Sequence, residues 1–343
     1  MVAYAPILAD DQDMTTHSIQ LLGISNAIVD VLAHVTDDFI DGIDAVPGSM
    51  TLIDEKRAQT IYDKMGPTTE MSGGSVANTV AGFANLGGTA AYIGRVKADQ
   101  LGEIFDHDMR ALGVDIRLKR AADGAPTARC HILISRDGQR TMQTYLGACT
   151  ELGVDDITSE TVGSPKAMLI EGYVWDIPEG PALARKAMDL AAQTATTVAL
   201  SLSDSFCVER HRESFDDAIR NGATIVVADE DEINALMMTE TFAESLTAIR
   251  AYDNLFVMTR SEKGSVIVYG DEEIVQAATP VDKVVDSTGA GDAYTAGFLY
   301  GWANDQPLAD CARLGTFCAT RVIQQVGARI ERGMLDDYQS HRA

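Results

Sequence analysis

Positive charge is what this chain has least of. Lysine and arginine total 27 against 51 aspartates and glutamates, a formal net charge of -24 over 343 residues. A surface of that sign repels nucleic acid and anionic bilayers, so neither is expected as a partner. It leaves room for a phosphorylated ligand, because a local nest of backbone N–H groups holds an anion whatever the overall charge. Cysteine is sparse as well. Cys130, Cys149, Cys207, Cys311 and Cys318 include no CxxC pair, which fits neither a disulfide framework nor a zinc site. Cys311 and Cys318 lie seven apart in a helical stretch and read as part of its buried stripe. The six histidines make no HExxH or similar metal pattern. No run of eighteen apolar residues is long enough to span a membrane, and residues 1–20 lack the basic start and apolar stretch of a secretory signal. Residues 1–18 are therefore expected to form a flexible acidic leader, with Met14 an alternative start and the cytosol the compartment.

What is present centres on Asp286-Ser287-Thr288-Gly289-Ala290-Gly291-Asp292. A β-like run, 281–285, precedes it, and Ala293, Ala296, Phe298 and Leu299 continue it with helical spacing. Gly289 and Gly291 thus sit where a strand turns into a helix, and small residues there let N–H groups approach an anion at the favourable end of the helix dipole. Asp292 in that first turn reads either as a helix cap or as a general base beside a phosphate. Two nucleotide motifs are missing. No GxxxxGK[ST] exists in the chain, and Gly289-x-Gly291 lacks the third glycine of a dinucleotide fingerprint, so an oxidoreductase linked to NAD is excluded.

The rest of the chain alternates. Strands are expected at 19–24, 90–96, 128–135 and 141–145, the last two joined by an Asp-Gly hairpin signal at 137–138, and helices at 53–65, 76–86 and 101–112. After Gly147, short apolar runs at 167–170, 197–202, 224–228 and 255–259 alternate with helical stretches such as 181–192 and 209–220. That pattern means βαβ units and a parallel sheet covered on both faces. A hairpin at 265–269 and 273–277 precedes the glycine-rich turn. Gly73-Gly74 is a second small-residue turn feeding a helix, with Asn78 one turn further on. An Asn, a bare backbone and a nearby carboxylate such as Asp30 suit a polyol, whose hydroxyls need donors and acceptors; an ordinary turn and a surface Asn explain the same residues. Asp229-Glu230-Asp231-Glu232 opens a helix and reads either as an acidic first turn or as a holder of hydrated Mg²⁺.

Together these segments resemble the ribokinase-like (PfkB) family of carbohydrate kinases. Its two signatures look like Gly73-Gly74-Ser75-Val76-Ala77-Asn78, continuing through 94–102, and Asp286 to Asp292. Within the family, 23–30, 137–148 and 201–206 look most like adenosine kinases. The resemblance implies a three-layer α/β/α fold with a mainly parallel central sheet, a kinase domain over 19–340, and a small β lid built from segments near 30–50 and 127–147. It implies that Asp30, Gly73, Gly74 and Asn78 hold a ribose, that Phe206 and Tyr173 pack on a nucleobase, and that Arg140 faces the transferring phosphate. Asp292 becomes the base, with Gly289, Ala290 and Gly291 stabilising phosphoryl charge. Asp229, Glu232, Thr259 and Gly264 fall on the ATP side, Glu232 reaching Mg²⁺ through water, and Asp286 marks a monovalent cation site, K⁺ by family habit. Two departures stand out: Asp229-x-x-Glu232 replaces the family's Asn-x-x-Glu, and Ser287 stands where Thr is usual. The expected activity is transfer of the γ-phosphate of ATP to a primary hydroxyl of a ribosyl substrate, adenosine preferred, by a monomer or homodimer. The alternatives are a kinase of ribose, fructose or a related ketose, and a ligand-binding homologue without catalysis.

Overall fold

The computed structural model describes residues 18–136 and 138–342. The leader segment expected over 1–18, with Met14, and the Asp137 position of the hairpin therefore fall outside the described residues, Ser18 apart. Among those described, the strands form a nine-stranded sheet, a five-stranded sheet and a two-stranded pair. Edge to edge, the large sheet runs Glu272–Gln276, Ser265–Tyr269, Leu255–Thr259, Ile225–Asp229, Thr197–Ser201, Ala167–Glu171, Leu21–Ile24, Ala90–Ile93 and Asp115–Ile116. Every pairing is parallel except the two that join the Ser265–Tyr269 hairpin.

Strands of this kind are apolar on both faces because helices cover both. The pleat sorts their side chains with period two. Leu22, Ile24, Met168 and Ile170 enter one core with Leu183 and Phe215, from the helices Gly180–Gln193 and Ser205–Asn221. Leu21, Ala167 and Leu169 enter the opposite core with Val76, Val80, Phe105 and Phe298, from Ser75–Asn85, Gln100–Ala111 and Ala290–Ala303. Each fully buried Leu, Ile or Phe contributes about 2 kcal/mol, so these two layers dominate the stability of the fold.

The smaller sheet has the order Met50–Leu52, Arg140–Tyr145, Ala128–Ile134, Ile28–His34, Thr69–Gly73. It gathers strands from the two segments expected near 30–50 and 127–147. It also adds Thr69–Gly73, where only a turn at 72–75 is expected from sequence. That strand is polar in sequence and pairs antiparallel with Ile28–His34, so tertiary pairing overrides a weak local preference. The run 281–285 forms no strand. It has no sheet neighbour, and Val284 and Val285 are 53% and 41% exposed. The run 90–96 is two strands broken at Gly94, the second of which pairs with Lys119–Ala121. All five cysteines are free and buried.

Candidate functional site

The parallel strands deliver their carboxyl ends to one side of the large sheet, the side on which open α/β sheets bind ligands. Glu171, Ser201, Asp229 and Thr259 end four adjacent strands, with Glu171↔Ser201 and Asp229↔Thr259 in register. The helices Ser75–Asn85 and Ala290–Ala303 also begin there, each after a glycine held at positive φ: Gly74 at +94° and Gly289 at +75°. The two helix starts are bonded together. The Asp292 carboxylate accepts from Ser75 Oγ at 2.6 Å and from Asn78 Nδ2 at 3.0 Å, while Thr79 Oγ1 donates to the Asp292 carbonyl at 3.3 Å. Burial pushes the Asp292 carboxyl above its ordinary value, and these two donors with the Arg329 guanidinium pull against that. Asp292 is thus a half-buried, well-oriented carboxylate whose proton affinity is higher than in water.

Asp30 stands beside it on the small sheet. Gly73 is bare because a Cβ there would lie 2.3 Å from the Asp30 carboxyl carbon. Asp30, Asn78, Arg140, Thr288 and Arg329 line one crevice of about 10 Å³, room for about one water. Arg140, at the start of its small-sheet strand, forms a buried ion pair with Asp286 of the glycine-rich turn, their side chains only 9% and 6% exposed. Asp286 also accepts from Thr288 N at 3.1 Å and Gly327 N at 2.8 Å. The pair fastens the small sheet over the crevice. Ala290 N–H is already used within the turn, on Ser287 O at 3.2 Å. A Cβ on Gly291 would meet nothing within 4 Å, so the space above that residue is open.

Tyr173 and Phe206 lie at the next strand ends. Gly172 N donates to Ser203 Oγ at 2.9 Å and Cys207 Sγ to Gly172 O at 3.4 Å, which ties the turn carrying Tyr173 to the helix start carrying Phe206. Phe206 is 66% exposed, a large ring left in solvent. Asp229 and Glu232 make a reciprocal capping box, Asp229 N to Glu232 Oε2 at 2.9 Å and Glu232 N to Asp229 Oδ1 at 2.7 Å. The Asp in place of Asn therefore caps the helix, and Glu232 is buried behind it. Thr259 ends its strand, and Gly264, at φ +88°, sits where a Cβ would strike the Gln276 carbonyl, so its glycine is structural. The ATP-side candidates form a group separate from the Asp30–Asp292 crevice.

Two residues escape the sequence reading. Glu171 is fully buried and accepts from Asn26 N at 3.0 Å and Val76 N at 3.3 Å, pinning the backbone ahead of Asp30 and just after Gly74. Its only sequence signal is an acid closing an apolar run. Arg329 reaches in from the far end of the chain and is signalled by nothing more than a basic residue after Gly327-Ala328.

Burial pushes Asp30 and Glu171 up to about 7 and Glu232 to about 8. A carboxyl whose folded value is raised stabilises the fold below the ordinary carboxylate range, and that stability is lost as pH climbs through the folded value. The free protein is therefore expected to melt several degrees lower at pH 8.5 than at pH 5.5, and Asp30→Asn should flatten the dependence. A melting temperature that rises over this interval in scanning calorimetry would contradict the burial argument.

Comparison with known proteins places this geometry. The pfkB family carbohydrate kinase profile matches residues 44–332. Adenosine kinase 2 of Arabidopsis thaliana is 24% identical over 331 residues, covering 90% of this chain and 94% of its own. An uncharacterised sugar kinase of Archaeoglobus fulgidus is 27% identical over 254 residues, 72% of this chain and 96% of its own. Among solved structures, a probable sugar kinase from Rhizobium etli is 42% identical with a TM-score of 0.88, covering 95% of this chain and 99% of that one. An adenosine kinase from Sinorhizobium meliloti is 43% identical with a TM-score of 0.87, covering 94% and 99%. The fold is ribokinase-like, the family's members are ATP-using phosphotransferases acting on hydroxyl groups of small nucleosides or sugars, and no helix among the described residues is long and apolar enough to cross a membrane. With both glycine turns, the shared carboxylate and the doubly covered sheet in place, this chain belongs to the pfkB family of carbohydrate kinases.

Proposed function

We propose that the protein phosphorylates the primary hydroxyl of a ribosyl acceptor, adenosine before a free sugar. The observation that carries the preference is Phe206: a ring 66% exposed, on a helix start tied to the turn that carries Tyr173, is a stacking surface that a bare sugar has no use for. The 43% identical neighbour described as an adenosine kinase supports the same reading.

In this reading Asp30 and Asn78 take the ribose hydroxyls, and the bare backbone of Gly73 and Gly74 lets the ring approach. Asp292 receives the proton of the attacking hydroxyl. Ser75 and Asn78 hold its two oxygens so that a lone pair stays aimed at the acceptor. The residues fit a nucleoside triphosphate, because the open space above Gly291 and the helix start beneath it accept an anion without displacing a side chain. ATP would supply the phosphoryl group, and Mg²⁺ bound with it would supply positive charge against the charge that develops. Glu232, in its capping box, would be the residue that serves Mg²⁺, and Thr259 and Gly264 would shape the nucleotide side. Arg140 would exchange Asp286 for phosphate oxygens, and Asp286 would be the residue to hold K⁺ once Arg140 has left it. The small sheet is the lid, and closing it excludes water from the transfer.

The test is ADP release with ATP and Mg²⁺ against adenosine, other nucleosides, ribose and fructose. Adenosine is expected to turn over at the lowest concentration. Phe206→Ala should raise its KM about tenfold, the worth of one base stacked on one ring, with kcat and ribose kinetics little changed. Turnover of a free sugar alone would withdraw Phe206 and Tyr173 from the site and leave Asp292 in it.

A further inference from the structure

Arg329 is a cation enclosed by the acceptor side of the site and tied to it on three sides. Its Nη2 donates to the Ser72 carbonyl and, at 2.9 Å, to Ser72 Oγ, while Nη1 donates to the Ala77 carbonyl at 3.0 Å. Ser72 and Ala77 bracket the Gly73-Gly74 turn, and Ala77 immediately precedes Asn78. The same loop is held from behind: Gln325 Nε2 donates to the Arg329 carbonyl at 2.6 Å, and Gly327 N to Asp286 at 2.8 Å. Arg329 shares its crevice with Asp30.

The charges facing Asp30 come from three directions: Arg329 arrives from the C-terminal loop, Arg140 from a strand of the small sheet and Asp292 from the helix start, while its register partner on the neighbouring strand, Cys130, is a thiol that burial keeps neutral. Arg140 is spent on Asp286, which leaves Arg329 as the stronger of the two cations acting on Asp30. We propose that Arg329 is a positioning residue for the acceptor: it braces the Ser72–Asn78 turn and supplies the positive charge that lets Asp30 remain a carboxylate in a half-buried site. This rests on the reading that Asp30 takes acceptor hydroxyls. Burial pushes Asp30 up to about 7 with Arg329 opposing it, so loss of the guanidinium drives the carboxyl further toward its neutral form. A neutral carboxyl gives up acceptor capacity at the point where a hydroxyl must donate.

The experiment compares wild type, Arg329→Met and Arg329→Lys, using kcat/KM for the acceptor from pH 5.5 to 9 at saturating ATP. In Arg329→Met the acid limb is expected to move up by about one pH unit, the scale of one nearby charge. Acceptor KM at pH 7 should rise about fivefold, the fall in ionised Asp30 that a one-unit shift from about 7 produces, and largely recover at pH 9, with the KM for ATP unmoved. Arg329→Lys should keep the wild-type limb, since it keeps the charge, while losing part of the brace. A uniform loss across pH in Arg329→Met, or an unshifted limb, would overturn the proposal in favour of a purely structural tie. A second measurement needs no substrate: melting temperatures at pH 8 for Asp30→Asn, Arg329→Met and the double variant. Coupling between the two sites upholds the proposal even if no acceptor in the panel is phosphorylated, in which case the activity reading fails alone. Additivity overturns it whatever the activity.

Discussion

Asp292→Asn is expected to lower kcat about 10³-fold while ATP and acceptor still bind, the loss typical of removing a well-placed general base. The replacement is close to silent for the fold. The new amide oxygen keeps the bond from Asn78 Nδ2, and the new amide nitrogen donates to Ser75 Oγ, a hydroxyl that serves equally as acceptor. Only the hydrogen of the half-buried Ser75 hydroxyl loses its acceptor, and a raised carboxyl is removed, so the melting temperature should change little. What disappears is the ability to take a proton. Equilibrium binding of ATP and acceptor, measured beside turnover, separates the two effects. Near-normal turnover in the variant would remove Asp292 from the chemistry and leave it a helix-pairing residue.

Gly289→Ala and Gly291→Ala should both cost about 10²-fold in kcat, the scale of disrupting an oxyanion-type donor set, yet for opposite reasons. At Gly289 the backbone has φ +75° and a Cβ would lie 2.3 Å from the Ala328 Cβ and 2.7 Å from its Cα. The substitution strains the turn and pushes on the loop that carries Gly327 and Arg329, so stability falls with activity. At Gly291 nothing lies within 4 Å of the new methyl. The free protein should melt as wild type, and the loss should come from a methyl standing where phosphate belongs. The diagnostic is the split between melting temperature and kcat. A fully active Gly291→Ala would mean that phosphate does not approach this backbone.

How far the sequence carries these conclusions depends on where each signal resides. The central strands were legible because burial on both faces makes them continuous apolar runs: 255–259 is matched to the residue, and 167–170 and 197–202 to within one at an end. Gly289 and Gly74 were legible because positive φ leaves few choices of residue. Asp30 and Gly73 are brought into contact by antiparallel pairing of Ile28–His34 with Thr69–Gly73, a partner strand with no apolar alternation to announce it. The family resemblance implies a phosphate ligand at Arg140, but its partner Asp286 lies 146 residues away in sequence (from 140 to 286) and is reached only through the pairing of the small sheet. Arg329 and Glu171 bond mainly to backbone carbonyls and N–H groups, which any sequence supplies equally, so residue type points to them only weakly.

The clasp between Arg140 and Asp286 bears on how binding constants for this protein should be read. On the proposed reading, in which the small sheet is a lid over a ribosyl acceptor, the shut clasp opposes entry, so the acceptor binds to the fraction of molecules whose small sheet has swung away. An observed dissociation constant is then the intrinsic one divided by that fraction, and a protein open one-tenth of the time binds about tenfold more weakly than its contacts deserve. The penalty falls alike on every acceptor. It cancels from the ratio of adenosine to ribose, which makes that ratio, rather than either constant alone, the measure of what Phe206 and Tyr173 contribute.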